Sequence, residues 1–406
     1  MHVIFVEPAF PSNQRQFVRA LAQVGARVSG IGERPYEAFD SDLRSWLSDY
    51  HRIRSVVDEG ALYEAVRSIQ GKSWVDRMEA TIEAHILPAA RVREAAQIPG
   101  TTVKTAFLCR DKPAMKEALR AAGVPCARSL GTDSAEEARR FARETGYPLI
   151  VKPRSAAGAS GTTRVDDEAA LDRALAEQHV GRGGSVALEE FIEGHEGFYD
   201  TISIAGQPLH EFVTHYYPGV LEAMRNRWIS PVFITTNRLN EPGYDEVKAM
   251  GRKVIGALGI ETSATHMEWF YGPKGLSFSE IGCRPPGVGA WDVYSAANEF
   301  DIYREWAMAI VHGRGAQTPS RRFSAAMLSL RPTQDGQIVR YDGLDSVERR
   351  YGQWITDMHL PPEGSGTQPI EAGYMANAWM RVRHPDYDEL RRMLTDISET
   401  LRVVAA

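Results

Sequence analysis

Cysteine is scarce in this chain: Cys109, Cys126 and Cys283 are the only three in 406 residues. An odd, widely spaced set cannot pair completely and has no metal-ligand spacing. That excludes a disulfide scaffold and fits a reducing, cytoplasmic setting. Each cysteine reads as a small buried residue, because none sits beside a recognisable base that would make it a nucleophile. A membrane span or signal peptide is missing at the start, where the apolar run His2 to Val6 is short and is followed at once by Glu7-Pro8; it reads as a first strand. Charge of one sign is not in large excess either. The net charge is -6, with basic and acidic residues mixed along the chain, which argues against a general nucleic-acid surface. Two glycine signatures are also absent. No Gly-x-Gly-x-x-Gly turn follows the first strand, which weakens a dinucleotide reading, and no Gly-x-x-x-x-Gly-Lys-Ser/Thr occurs, which excludes the P-loop class. Internal repeats and extended low-complexity tracts do not occur.

The chain does carry enough apolar residues for two or three cores. Hydrophobic residues make up 43% and charged residues 25%, the proportions of a soluble globular protein too long for one domain. From 1 to 104, short apolar runs alternate with helical stretches (strands His2 to Val6 and Arg27 to Ile31; helices Gln14 to Val24, Ala61 to Ile69 and Glu83 to Ala96), which predicts a βαβ-type domain with a parallel sheet, closed by Pro99-Gly100. From 105 to 316 the pattern mixes helices and hairpins. Helix Asp111 to Ala122 opens this region with Asp111 as its N-cap and Gly123-Val-Pro125 as its stop. The region from 317 to 406 begins at Thr-Pro-Ser-Arg-Arg and mixes strands with a final helix, Tyr387 to Leu401.

Chemistry concentrates in the middle region. Ala264 to Tyr271, a turn on Gly272-Pro-Lys-Gly275, and Leu276 to Ile281 predict a β-hairpin, whose register brings Glu268 and Glu280 to one face. Buried acids without a partner cost several kcal/mol, so two of them in a core hairpin suggest a cation. Mg²⁺ suits it, being held by one or two carboxylates plus substrate phosphates. Upstream, strand Leu149-Ile-Val-Lys152 runs into Pro-Arg-Ser-Ala-Ala-Gly158-Ala-Ser160-Gly161-Thr162. Small side chains let backbone N–H groups approach phosphate oxygens, and the lysine adds a point charge. Arg110-Asp-Lys112 opens a helix, and Glu189-Glu190-Phe191-Ile192-Glu-Gly-His-Glu196 follows a strand, its last four residues reading as a polar turn. His266 reads as a hydrogen-bonded neighbour of the site, since Mg²⁺ prefers oxygen, and Asp200 as a structural capping acid.

This ordered set resembles the ATP-grasp superfamily, and within it the stand-alone carboxylate-amine ligases, which include amino-acid ligases. The resemblance covers essentially the whole chain. It implies a βαβ domain before the grasp at 1–104, an ATP-grasp fold of two α+β subdomains at 105–316 with a mobile lid at about 124–188, and a C-terminal α+β domain at 317–406. It further implies that ATP and Mg²⁺ (or Mn²⁺) are bound. Lys112 and Lys152 would hold the phosphates, with the Gly158, Ser160, Gly161 and Thr162 loop folding over them. Glu189, Glu190, Phe191 and Ile192 would enclose and read the adenine, Glu196 would accept from the ribose, Glu268 and Glu280 would bind the metal, and Arg284 would face the transferred phosphoryl group. Glu222, Arg225, Arg227 and Trp291 would border the substrate. The implied reaction activates a carboxylate as an acyl phosphate and joins it to an amine; the alternatives are an ATP- and bicarbonate-dependent carboxylase of the same superfamily and a non-catalytic nucleotide-binding module. The absence of His-x-x-x-Gln after the Glu189-Glu190 stretch favours the ligase. Small-molecule partners, no nucleic acid, no membrane, and a homodimer as the default assembly complete the expectation. One position departs from the pattern: members often carry Asn two residues after the second metal glutamate, and here that residue is Gly282.

Overall fold

A computed structural model describes residues 1–154, 161–224, 226–287, 289–369 and 373–406. The first apolar run does form a strand, His2–Val6, buried along its whole length. Continuous burial of this kind belongs to a parallel strand covered on both faces. It pairs in parallel with Arg27–Gly32 on one side and Arg77–Glu79 on the other, and Asp49–Arg52 completes a four-stranded sheet. Helices Gln14–Gln23, Glu59–Gln70 and Glu83–Ala95 cover it.

Two antiparallel sheets follow. The smaller takes the spatial order Ser129–Thr132, Val186–Glu190, Leu149–Pro153, Thr163–Val165. Helices Ala135–Thr145 and Glu168–Glu177 pack on it around a separate core of Ala138, Val151, Leu171, Leu175 and Leu188. The larger has eight strands, in the order Gly275–Gly282, Ser263–Gly272, His195–Ile204, Gln207–Tyr217, Val232–Thr235, Ser324–Ser329, Trp379–His384, Ile355–His359. The last three of these come from the C-terminal region, which therefore continues the central sheet: Val232–Thr235 hydrogen-bonds directly to Ser324–Ser329. The final helix, Tyr387–Thr400, packs over that end.

Strand alternation sorts the large sheet's two faces. Tyr199, Val213, Met267, Trp269 and Ile281 pack toward helix Asp245–Ala257 and the N-terminal region. Phe198, Phe212, Tyr216 and Phe233 point the other way, into a core shared with helices Ala290–Asn298 and Ile302–His312. Among the described residues, no helix is long and apolar enough to cross a membrane.

Candidate active site

The hairpin forms as its turn residues predict, but its regular register would not bring the two acids together. Counting back from Gly272 opposite Gly275, through Tyr271–Leu276 and Trp269–Phe278, places Ser279 opposite Glu268. A β-bulge intervenes: Glu268 pairs with Glu280 while Trp269 pairs with Phe278, so Ser279 is the extra residue. An extra residue reverses side-chain parity and re-aims the chain. Phe278, on the turn side of the bulge, lies in the apolar core, and Glu280 beyond it turns to face Glu268. On the neighbouring strand Glu268 lies opposite Phe198, and Glu196 shares that face two residues away.

Three further segments converge on this edge. Asp111 caps helix Lys112–Ala121, its carboxylate accepting from the Ala114 N–H at 3.0 Å, and this cap sets Lys112 at the first turn. Lys112 Nζ reaches Glu280 Oε2 at 3.1 Å. One turn further along the same helix face, Lys116 Nζ lies 2.8 Å from Glu189 Oε2. Lys152, at the end of strand Leu149–Pro153, sits 2.8 Å from that same oxygen. Two ammonium groups thus share one carboxylate oxygen, while Glu189 Oε1 is buried and has no partner among the described residues.

Charge balance here follows from burial. Burial works to raise the Glu189 pKa, but Lys116 and Lys152 outweigh it and hold the carboxyl at about 2. In Glu280 the same contest, against Lys112 and Lys152, ends with the pKa lowered. Glu196 has no such cation. Its burial, reinforced by the nearby Glu268 charge, pushes it up to about 8 despite the Val220 N–H, which donates to Oε2 at 2.6 Å. Burial disfavours a charged His266, yet Asp200 and Glu268 override this and raise it to about 9. Its Nδ1 lies 2.8 Å from Asp200 Oδ1 and its Nε2 3.7 Å from Glu268 Oε1. Tyr294 O–H donates to the other Asp200 oxygen at 2.5 Å. Asp200 is therefore the anchor of a buried chain leading to Glu268, and the capping role read from the sequence is not what it does.

Arg284 follows the hairpin and donates from Nε to Glu83 Oε2 at 2.6 Å. Glu83 opens helix Glu83–Ala95 of the N-terminal region, and Arg110 Nη1 contacts its other carboxylate oxygen at 3.3 Å. Gly282 is part of this arrangement. A Cβ there would lie 3.2 Å from both Glu83 Oε2 and Arg284 Cγ, so the space an asparagine would need is taken by the Glu83–Arg284 pair.

The stretch after strand Val186–Glu190 joins the two antiparallel sheets. Glu190 pairs across its strand end with Lys274 at 2.6 Å, and Arg164 lies over the Phe191 ring at 4.5 Å; Ile192 is partly buried beside them. Glu196 belongs to strand His195–Ile204, not to the polar turn expected for it; that turn ends two residues earlier, at Gly194. Gly161 has φ +70, and a Cβ on it would meet Pro153 Cγ at 2.9 Å, so glycine suits this close approach to Pro153 at the strand end. Thr162 follows it; Gly158 and Ser160 lie outside the described residues, as does Arg225.

The four residues expected around a substrate fare differently. Glu222 is exposed on the short helix Val220–Ala223. Arg227 gives its fork to Asp335, with Nη1 to Oδ1 at 2.9 Å, so it is engaged by the C-terminal region instead of offered to a ligand. Trp291 is 3% exposed and packs against Phe17 and Tyr303 in the core. Lys116 and Glu83 were missed. The Lys112-x-x-x-Lys116 spacing on one helix face was the available signal for the first. Glu83 had none, since 201 positions separate it from Arg284.

Comparison with known proteins bears on the fold. Residues 117–300 match the model of the ATP-grasp domain. An L-arginine-specific L-amino acid ligase of Bacillus subtilis is 27% identical over 251 residues, a match that spans 60% of this chain and 60% of that protein's length. The crystal structure of an L-amino acid ligase from Bacillus licheniformis superposes with a TM-score of 0.76 at 18% identity, covering 100% of this chain and 98% of the other. An ADP complex of an N5-carboxyaminoimidazole ribonucleotide synthetase superposes at 0.69 with 14% identity, covering 98% of each chain. Residues 117–300 accordingly match an ATP-grasp domain, and the chain is similar to amino-acid ligases in sequence and in fold.

Proposed function

We propose that the protein is an ADP-forming carboxylate-amine ligase: ATP phosphorylates a substrate carboxylate, and an amine displaces phosphate from the resulting acyl phosphate to form an amide. One observation carries this reading, the convergence of Glu268, Glu280, Lys112 and Lys152 from separate segments onto one sheet edge. A triphosphate and its cation need that combination of anions and cations, whereas a packed core does not tolerate it unpaired.

The residues suit the nucleotide and the metal. The unpartnered, buried Glu189 Oε1 awaits a hydrogen-bond donor, and an adenine amino group supplies one. Among the described residues no three acidic, histidine or cysteine side chains converge as a ready metal cage; two carboxylates completed by phosphate oxygens and water are what Mg²⁺ commonly takes. When bound, Mg²⁺ would neutralise phosphate charge and orient the transferred group. The chain's own groups do the rest. Lys112 and Lys152 hold phosphate oxygens, Gly161 and Thr162 lie beside them, and Glu190, Phe191 and Ile192 enclose the base. Protonated at neutral pH, Glu196 can both donate to and accept from the ribose hydroxyls. Arg284 meets the developing charge on the transferred phosphoryl group with a planar donor fork. Positioning and electrostatics of this sort are what phosphoryl transfer asks of a protein.

For the substrates we propose amino acids, the class named for the Bacillus relatives. Glu83 and Arg284, paired at 2.6 Å beside the Glu280 strand, present the two charges that complement an amino acid's own. In this reading residues 1–104 form one wall, 105–316 the grasp with the sheet at 124–188 as its lid, and 317–406 the opposite wall. The setting is cytoplasmic, in keeping with three free cysteines. A phosphate-release screen of amino acids, singly and in pairs, with Mg²⁺ and ATP tests the proposal. ADP formation that needs both an amino acid and an amine supports it; ADP formation driven by bicarbonate alone would reassign the protein to the carboxylases, and nucleotide binding without turnover on any pair would refute the ligase.

A further inference from the structure

Lys116 belongs to no motif in the sequence reading, yet it is among the most deeply buried side chains of the protein, 1% exposed. Its ammonium sits on Glu189 Oε2, the same oxygen that Lys152 contacts, both at 2.8 Å. The second oxygen of Glu189 is buried and unpartnered. Lys116 comes from helix Lys112–Ala121, Lys152 from the strand that enters the phosphate loop, and Glu189 from the strand that enters the base-binding stretch. The carboxylate is thus the junction between the parts that would hold the phosphates and the part that would hold the base.

Only one of the two lysines is placed to leave. Lys152 ends its strand next to the Gly161 loop and faces the Glu268 and Glu280 charges as well as Glu189. To hold a phosphate oxygen it must weaken its contact with Glu189, and a buried carboxylate stripped of its counterion is costly. Lys116 lies within the helix and has the Glu189 carboxylate beside it at every step. We infer that Lys116 is a positioning residue: it keeps Glu189 ionised and oriented while Lys152 moves to the nucleotide phosphates, so that Glu189 Oε1 stays aimed at the base. This rests on the nucleotide-binding reading above and adds a role for a residue which that reading does not use.

Lys116→Met removes the ammonium while keeping an unbranched side chain. Among the described residues Lys152 is then the one remaining ion-pair partner of Glu189, and it is held back from phosphate. A hydrogen bond to a charged group corresponds to about 10- to 100-fold in an equilibrium constant, and that is the expected loss in affinity for the non-hydrolysable ATP analogue AMP-PNP with Mg²⁺, measured by calorimetry. Adenosine, which has no phosphates to compete for Lys152, should lose less than about threefold. Glu189→Gln removes the charge that Lys116 balances, so in that background Lys116→Met should add less than about threefold to whatever Glu189→Gln costs. Lys116→Arg, which keeps the charge, should recover most of the AMP-PNP affinity. A residue that only fastens the helix would lower the melting temperature in all backgrounds and leave these ratios alone.

Equal losses for AMP-PNP and adenosine, or an additive double variant, would overturn the role of Lys116 while leaving the nucleotide site standing. Failure of the unmodified protein to bind AMP-PNP would remove both. Should Lys116→Met not fold, the comparison of Lys116→Arg with Glu189→Gln/Lys116→Met decides the question by the same ratios.

Discussion

Replacing Gly282 by asparagine tests whether the position beside Glu280 is a vacant ligand site or an occupied one. Counted as a missing ligand, the glycine weakens the metal site, and asparagine should strengthen it. The packing says otherwise. The new Cβ would stand 3.2 Å from Glu83 Oε2, 3.2 Å from Arg284 Cγ and 3.5 Å from Arg284 Nε, so the Glu83–Arg284 pair must give way to admit a side chain. Glu83 accepts from Arg284 Nε at 2.6 Å, with both side chains 20% exposed. Breaking a charge-assisted hydrogen bond in such a place costs about 1.5–3 kcal/mol, and partial exposure puts the expectation near the lower end, about 2 kcal/mol. In thermal melts this would read as a drop of a few degrees. With Arg284 displaced from its proposed place at the transferred phosphoryl group, ADP formation should fall as well, by about 10-fold or more. Glu83→Ser clears the space. In that background Gly282→Asn should cost about 1 kcal/mol less than it does alone, a coupling of the size expected for residues in contact. A Gly282→Asn protein that melts like the parent, forms ADP as fast or faster, and adds independently to Glu83→Ser would refute the reasoning and restore the missing-ligand account.

Other outcomes follow from the same geometry. Glu280→Gln should reduce ADP formation by more than about 100-fold, because it removes one of the two carboxylates proposed for the metal and the partner of Lys112; circular dichroism should show an unchanged fold, and undiminished turnover would sink the metal assignment. His266 has its pKa raised from 6.5 to about 9, so its contribution to stability is fully present below about pH 6.5 and disappears as pH rises through about 9. Melting temperature should fall across that window, and His266→Gln should flatten the fall. Glu196 works in a lower window: its carboxyl is raised from 4.5 to about 8, so the unfolded chain ionises it first and stability declines from about pH 4.5 to 8. Glu196→Gln should be less destabilised at pH 8 than at pH 5, relative to the parent. Lys274→Ala is the control, since its partner contact to Glu190 is made by a lysine 78% exposed, and it should change stability by less than about 1 kcal/mol.

Much of this architecture was legible in the order of residues. Apolar runs with turn signals located the parallel sheet, the hairpin of Glu268 and Glu280, the helix that starts at Lys112 and the strand that ends at Lys152. These are local properties: period, capping and turn chemistry act over a few residues and leave their pattern in a short window. Arg227 shows where such reading stops. Its type and neighbourhood suggest a carboxylate receptor, but a carboxylate from Asp335 already fills its fork, and nothing near residue 227 announces a partner 108 positions away.

The sequence by itself determined which groups were available: two carboxylates on one hairpin, a lysine at each of two element ends, and a loop of small residues between them. Tertiary structure decided which of them meet. The bulge at Ser279 turns Glu280 toward Glu268 where regular pairing would have aimed it at the opposite face, since one extra residue reverses side-chain parity. Packing of the N-terminal helix against the hairpin's exit delivers Glu83 to Arg284 and occupies the place left by Gly282. Lys116 and Lys152 share one oxygen of Glu189 only because a helix and two strands converge there. Charges far apart in the chain cannot signal one another through local pattern; they interact only once burial has removed the water that would otherwise screen them.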